Sequence, residues 1–195
     1  MTFPEYLYAR VAEGVEGFAG LDVDDIYAVS LYCWCNDDDL RQPALVVGHN
    51  SETQVAAVLS TAGYRPEADE ARWNYAYWLQ DMPVVVGDPD DPTGVRLARE
   101  WIEQAGLWYS DEQEEADFDT TLEFGGVIVQ RFWDECLRVA RRLHDDGVIT
   151  KVFGRSVPVI VHDLEYEEYH VDAALAANPP ELVADYIAWI ESLGS

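Results

Sequence analysis

The sequence predicts an α+β fold, a single domain over residues 1–195 with a mainly antiparallel sheet of about four strands packed with about five helices. The first observation is that 195 residues, 49% of them apolar and 26% charged, are typical of one globular domain. The second is that segments of helical period surround short runs rich in Val, Ile and Tyr. The third is that two such runs, at 24–35 and 43–48, lie close enough to form a hairpin.

The first quarter of the chain predicts a helix and then two strands. DDIYAVSLYCWC is apolar on both alternating faces, which predicts a central strand covered on both sides. PALVVG, after the acidic loop NDDDLRQ, predicts a second strand antiparallel to it. The helix before them is predicted from about Pro4 to Ala19, where apolar residues recur at helical spacing: Leu7, Val11, Val15 and Phe18.

The remaining elements are predicted from the same two patterns, the helical spacing of apolar residues and the alternation typical of a strand. MPVVVGD and VPVIVH predict two further strands, the second of them buried. SDEQEEADFD is dense in acids and predicts a solvated loop. A long helix is predicted from about Val127 to Asp145.

Three polar residues are predicted to cap helices. Ser51 is expected to accept the Gln54 amide while Gln54 reaches back to Ser51, which is a capping box. Asp91 precedes a proline and is predicted to cap the next helix. Asn178, also before a proline, is predicted to cap the last helix.

The charge is the unusual property of this composition. Acidic residues number 38 against 12 basic ones, which gives a formal net charge of −26. Such a surface repels phosphates, so neither nucleic acid nor a membrane is expected as a partner. It favours a basic protein partner, or it only keeps the protein soluble. Lys151 is the single lysine, which is typical of a GC-rich bacterial genome.

Cysteine usage and the N-terminal sequence predict a reduced, cytoplasmic protein. Three cysteines without regular spacing do not form a disulfide framework. MTFPEYLYAR lacks the basic and apolar segments of a signal peptide. No apolar run approaches the ~20 residues that span a bilayer.

Motifs for cofactors, metals and nucleophiles are absent from the sequence, so no catalytic residue, cofactor or metal is assigned. There is no phosphate-binding glycine loop, no H-E-x-x-H and no G-x-S-x-G elbow. Cys33 and Cys35 would share one face of a strand, where they could join His49 or Cys136 around a metal. Buried cysteine is usually a small hydrophobic residue, and that interpretation is favoured.

The stretch RWNYAYW contains the densest aromatic cluster of the chain. Its alternation slightly favours a strand over a helix. These large rings predict a core wall, and the competing hypothesis is a partner-binding surface, since Trp and Tyr dominate hot spots. The proposed anchors of that surface are Trp73, Tyr75, Tyr77 and Trp78.

Histidines and acids near the fourth predicted strand suggest an alternative pocket. HDLEYEEYH follows a buried strand, and His49 follows another. Strand ends often carry sites, although a solvated loop is the simpler interpretation. The pocket hypothesis brings together His49, His162, Asp163 and His170.

Several segments together resemble the bacterial domain-of-unknown-function (DUF) 4303 family. They are IYAVSLYCW before an acidic loop, VGHNSE, RWNYAYW, FDTTLEF, LHDDGVI, VPVIVHDLEY and NPPELVADYIAWI, and they cover nearly the whole chain. The resemblance implies no established active site, so no catalytic residue is carried over. Small acidic proteins of this kind look like immunity or accessory proteins encoded near toxins, which is an analogy.

Three function hypotheses follow from these observations. The first is an immunity-type or antitoxin-type protein that binds a basic partner through the aromatic anchors, with the acids at 111–119 and 163–168 steering association. The second is a small enzyme of unrecognised class that uses the histidine and aspartate pocket. The third is a homodimer whose aromatic residues bury against each other.

Overall fold

The computed structural model describes residues 1–61, 63, 66–164 and 169–193. The strands are β1 Ile26–Cys35, β2 Pro43–Ser51, β3 Leu79–Val86 and β4 Val159–His162. The helices are α1 Phe3–Gly17, α2 Glu52–Ser60, α3 Ala68–Trp73, α4 Pro92–Gln104, α5 Asp111–Ala116, α6 Phe118–Asp145, α7 Val148–Phe153, α8 Tyr169–Ala177 and α9 Ala184–Leu193. Short 3-10 turns lie at Phe18–Gly20, Asn36–Asp38, Tyr75–Tyr77 and Pro180–Leu182.

The four strands form one sheet in the order β3-β2-β1-β4. β1 pairs antiparallel with β2, and β2 pairs antiparallel with β3, as the hairpin prediction requires. β4 runs parallel to β1, so the sheet is mixed and not purely antiparallel. The α+β class is confirmed, and the nine α-helices in the described ranges exceed the five expected because several are very short.

β1 is central and is buried by helices on both faces, as its composition predicts. One face carries Val29, Leu31 and Cys33, which pack in a core with residues of α1, α6 and α7. The other face carries Ala28 and Ser30, and it is covered by the aromatic segment after α3 and by α8 and α9. Because one sheet separates two cores, the face on which a residue lies decides which groups it can meet.

The acidic segment at 110–119 is helical, so the loop prediction is wrong. Ser110 and Gln113 form a capping box that opens α5, with the Gln113 amide donating to the Ser110 hydroxyl at 3.3 Å. Asp117 then caps α6 by accepting the Thr120 amide at 3.3 Å. The sequence of α5, DEQEEA, carries no apolar period that would have predicted a helix, and none of its residues is buried.

Two of the three predicted caps are confirmed, although one differs in detail. Ser51 accepts the Gln54 amide at 3.1 Å, but the Gln54 side chain donates to the carbonyl of Tyr77 at 2.9 Å. The predicted capping box is therefore only half formed. Asp91 caps α4 by accepting the Gly94 amide at 3.1 Å, as predicted.

Asn178 is not a helix cap, so the third cap prediction is wrong. Its side-chain oxygen accepts the Val159 amide at 2.7 Å, and its side-chain nitrogen donates to the Val159 carbonyl at 2.8 Å. It thereby satisfies the outward-facing backbone groups of Val159 at the edge of β4, with which no other strand of the described residues pairs. The last helix, α9, begins only at Ala184, after a 3-10 turn.

Candidate functional site

The aromatic stretch after α3 is a tight turn, so the strand prediction is wrong. α3 ends at Trp73, and the Asn74 side chain accepts the Ala76 amide at 2.9 Å, which starts a 3-10 turn. An asparagine that bonds the backbone two residues on is a common way to make the chain turn. The alternation of large and small residues in this stretch therefore does not reflect a β-strand.

Three of the four proposed aromatic anchors lie in the core. Trp73, Tyr75 and Trp78 are 4%, 2% and 4% exposed, and Tyr77 is half-buried. The Trp73 ring meets Tyr186 edge-on at 5.5 Å between ring centres. Buried rings cannot touch a second molecule, so Trp73, Tyr75 and Trp78 form a core wall. These three rings expose too little surface to anchor a partner or a second copy of the chain, and whether the chain binds a partner or forms a dimer stays a prediction.

The predicted histidine pocket is brought together only in part. His162 ends β4, Asp163 follows it, and the Nε2 atom of His170 lies 3.5 Å from Asp163 Oδ1. His49 pairs in register with Val29 and contacts Phe18, with 4.9 Å between ring centres. It therefore lies on the opposite face of the sheet from His162 and cannot join the other three residues.

Ser30, which no sequence motif singles out, completes the buried polar group around His162. Ser30 Oγ lies 2.8 Å from His162 Nε2, and His162 Nδ1 lies 2.8 Å from the carbonyl oxygen of Asp163. A carbonyl only accepts hydrogen bonds, so Nδ1 carries the proton and Nε2 accepts from the Ser30 hydroxyl. Parallel pairing of β4 with β1 creates this contact, and the sequence alone does not reveal that pairing.

This hydroxyl–imidazole pair has the polarity of a nucleophile and its base, but it is buried. Ser30 and His162 are 6% and 4% exposed. The Tyr75 ring stacks on the imidazole, with 3.8 Å between ring centres. A substrate carbonyl would have to displace this packing to reach Ser30.

Acid is expected to destabilise the fold through His162. Burial lowers its pKa from 6.5 to about 4, so between these values the unfolded chain binds more protons than the folded chain. The stability contribution of the neutral imidazole is complete above pH 6.5 and is lost as the pH falls toward 4. The loss is on the order of 3 kcal/mol. Urea unfolding at a series of pH values measures it. If His162→Gln keeps the same pH dependence, His162 is not the cause.

A cleft of about 390 Å³ opens between α6 and α8. We call it the α6–α8 cleft. Its acidic wall comes from three separate elements, with Asp134 on α6, Asp163 after β4 and Asp172 on α8. The other described residues that line it are Val129, Gln130, Trp133, Leu137, Ala173 and Ala176.

The N-terminal end of α6 presents apolar side chains to solvent. Phe118 is 59% exposed and Leu122 is 50% exposed. Val129 and Trp133 continue the same side of the helix, at close to whole turns, and line the α6–α8 cleft. We call this set the α6 stripe: Phe118, Leu122, Val129 and Trp133.

Two other clefts are less suited to a ligand. In a cleft of about 360 Å³, Arg41 is already held by Asp39 at 2.8 and 2.9 Å and by Asp111 at 2.8 Å. These carboxylates neutralise its charge. A cleft of about 440 Å³ has acids on α3 and Trp189 of α9, but that ring is 6% exposed and offers no face.

Neither a metal cluster nor a membrane span is found in the part of the chain that the structure describes. No group of three or more His, Cys, Asp or Glu side chains there is placed to hold a metal ion. Cys33 and Cys136 are buried as thiols, and Cys35 is half-buried. Among the described helices, none has an apolar stretch that would cross a membrane.

Comparison with known protein families, with curated proteins and with solved structures finds no match for this chain. The resemblance to the DUF 4303 family stays a prediction from its sequence motifs. Function must therefore be argued from the surface of this molecule, where the α6 stripe and the α6–α8 cleft are the features that the sequence did not predict.

Proposed function

We propose that this chain is a cytoplasmic binding protein of immunity or antitoxin type, whose docking surface for a basic protein partner is α5 and the N-terminal half of α6. One observation carries the proposal: Phe118 and Leu122 are exposed side by side within the most acidic segment of the chain. Exposed apolar side chains surrounded by charge are typical of an interaction site.

The negative charge of this segment favours a cationic partner. Between positions 111 and 123 there are acids but no Lys or Arg. Arg41 reaches the segment from outside and contacts Asp111 at 2.8 Å and Glu114 at 3.8 Å. The other acids of the segment repel one another, and a basic surface would relieve that repulsion and speed encounter. The acids of the segment that Arg41 does not contact are Glu112, Glu115, Asp117, Asp119 and Glu123.

The apolar pair supplies the anchor that charge alone does not. Phe118 and Leu122 are one turn apart on α6, so their side chains lie together on one side of the helix. Burying them against a partner removes apolar surface from water at roughly 25 cal/mol per Å². Acids around such an anchor form the polar rim that interfaces usually have.

Affinity capture from the cells that make this protein tests the proposal, with wild type compared with a Phe118→Ser/Leu122→Ser variant. We expect the wild type to retain a basic protein at low salt and to release it at high salt, and the variant to retain much less. Leu21→Ser is the matched control, because Leu21 is 49% exposed and lies outside the acidic segment. Equal retention by the variant and the wild type would contradict this docking surface, and so would retention of no basic protein.

A small enzyme is the second candidate function, and the hydrogen bond between Ser30 and His162 is the observation that favours it. The pair would activate a hydroxyl for attack on a carbonyl carbon. It ranks second because both side chains are buried and the Tyr75 ring is stacked on the imidazole.

A further inference from the structure

We propose that the α6–α8 cleft receives one arginine side chain, which makes it the specificity pocket of the docking surface. The inference rests on the proposed function, because it assigns the arginine to the basic partner. It also goes beyond that function, because it names the chemical group that is recognised and the residues that recognise it.

The position of the cleft suits a partner that lies along α6. Trp133 is about four turns after Phe118, or roughly 22 Å along the helix axis. Both belong to the α6 stripe, which leads from the exposed apolar pair into the cleft. A partner helix or strand docked on Phe118 and Leu122 therefore has a side chain within reach of the cleft.

The lining of the cleft matches both parts of an arginine side chain. Ala173, Ala176 and Leu137 are apolar and can cover the methylene stem. The half-buried Trp133 ring can stack on a planar guanidinium, and Asp134, Asp163 and Asp172 can accept its hydrogen bonds. Few other side chains combine a long apolar stem with a flat cation.

The placement of the acids on separate parts of the chain suits an extended organic cation. The three carboxylates come from three elements, and no metal-binding group of three is found among the described residues. A guanidinium has donors on three nitrogen atoms, so it can bond carboxylates that approach it from different sides.

The walls of the cleft are held in place before any ligand arrives. The buried His170 lies edge-on to Trp133, with 5.8 Å between ring centres, and its Nε2 atom is 3.5 Å from Asp163 Oδ1. One buried side chain thus contacts both the aromatic and the acidic wall. Walls that are already ordered lower the entropy cost of binding.

Titration of the full chain with N-acetyl-arginine methylamide tests this inference. The readout is the indole N–H signal of Trp133 in a proton–nitrogen NMR spectrum, assigned from a Trp133→Phe variant. We expect a saturable shift of this signal with a Kd on the order of millimolar, as suits a single side chain. The uncharged isostere N-acetyl-citrulline methylamide is expected to give no saturable shift.

Two aspartate variants locate the site. Asp172→Asn is expected to raise the Kd for the arginine probe about fivefold, because it removes one charge-assisted hydrogen bond. Asp69→Asn is the matched control, since Asp69 lines the acidic cleft near Trp189, and its Kd is expected to stay unchanged. The spectrum of each variant also reports whether the chain is folded.

Several results would overturn the inference. Equal binding of the citrulline probe would show that the cleft is only an apolar hollow, and equal binding of N-acetyl-lysine methylamide would remove the guanidinium specificity. The absence of a Trp133 shift would remove the site. The arginine probe does not need Phe118 or Leu122, so a failure of the docking surface leaves this readout unchanged and is recognised separately.

Discussion

Trp73→Ala is expected to lower the free energy of unfolding by about 3–5 kcal/mol, because a large buried ring is removed. Trp73 is 4% exposed and is packed edge-on between Tyr27 and Tyr186, at 5.5 Å from each ring centre. Neither neighbour can fill the space without leaving its own contacts. Urea unfolding followed by circular dichroism measures the change.

Phe118→Ala is the matched control for Trp73→Ala. Phe118 is also aromatic but is 59% exposed, so its removal is expected to change stability by less than about 0.5 kcal/mol. A stable Trp73→Ala variant would mean that the ring is not part of the core, and the aromatic stretch would again be a candidate partner surface.

Asn178→Leu is expected to lower the free energy of unfolding by about 3 kcal/mol or more. The side chain is fully buried and bonds both the amide and the carbonyl of Val159. Leucine has a similar size but leaves both backbone groups without that partner, and each buried orphan group costs about 1–3 kcal/mol. Urea unfolding measures the loss.

Hydrogen exchange supplies a local readout for Asn178→Leu. The Val159 amide is expected to lose protection in the variant, because its partner is the Asn178 side chain. Gln104→Leu is the control, because the same kind of change at an exposed position of α4 should have little effect. An unchanged stability and an unchanged Val159 amide would contradict the bridging role of Asn178.

The elements of this fold that could be predicted are those with a clear pattern of apolar residues or a clear local capping motif. β1 is apolar on both faces, and it is the central strand. Asp91 before a proline is a local capping signal that needs no tertiary contact, and it caps α4. Such features are decided within a few residues of sequence, so the sequence reveals them.

The histidine pocket was harder to predict from the sequence, because the residues that meet there depend on which strands pair and in what register. His49 lies two residues before the end of β2 and His162 ends β4, but the register places His49 opposite Val29 and His162 opposite Tyr32, on different faces of the sheet. Ser30 meets His162 only because β4 runs parallel to β1. A shift of one residue in either register would exchange the faces, and nothing local sets it.

The sequence predicted the start of α6 too late, at about Val127 instead of Phe118, for a different reason. Phe118 and Leu122 are apolar but exposed, and they lie in a run of acids that is typical of a solvated loop. Capping by Asp117 and continuation into the buried half of α6 make the segment helical. The exposed apolar pair is thus a consequence of helix extension beyond the core.

The central claim is that a basic partner binds on Phe118 and Leu122, and the most direct measurement is the Kd of the captured partner for three chains. They are the wild type, the Phe118→Ser/Leu122→Ser variant and the Leu21→Ser control, at low and at high salt. We expect the variant to bind at least about tenfold more weakly, the control to bind like the wild type, and all three to weaken as salt rises. Equal Kd values for the wild type and the Phe118→Ser/Leu122→Ser variant would contradict the claim.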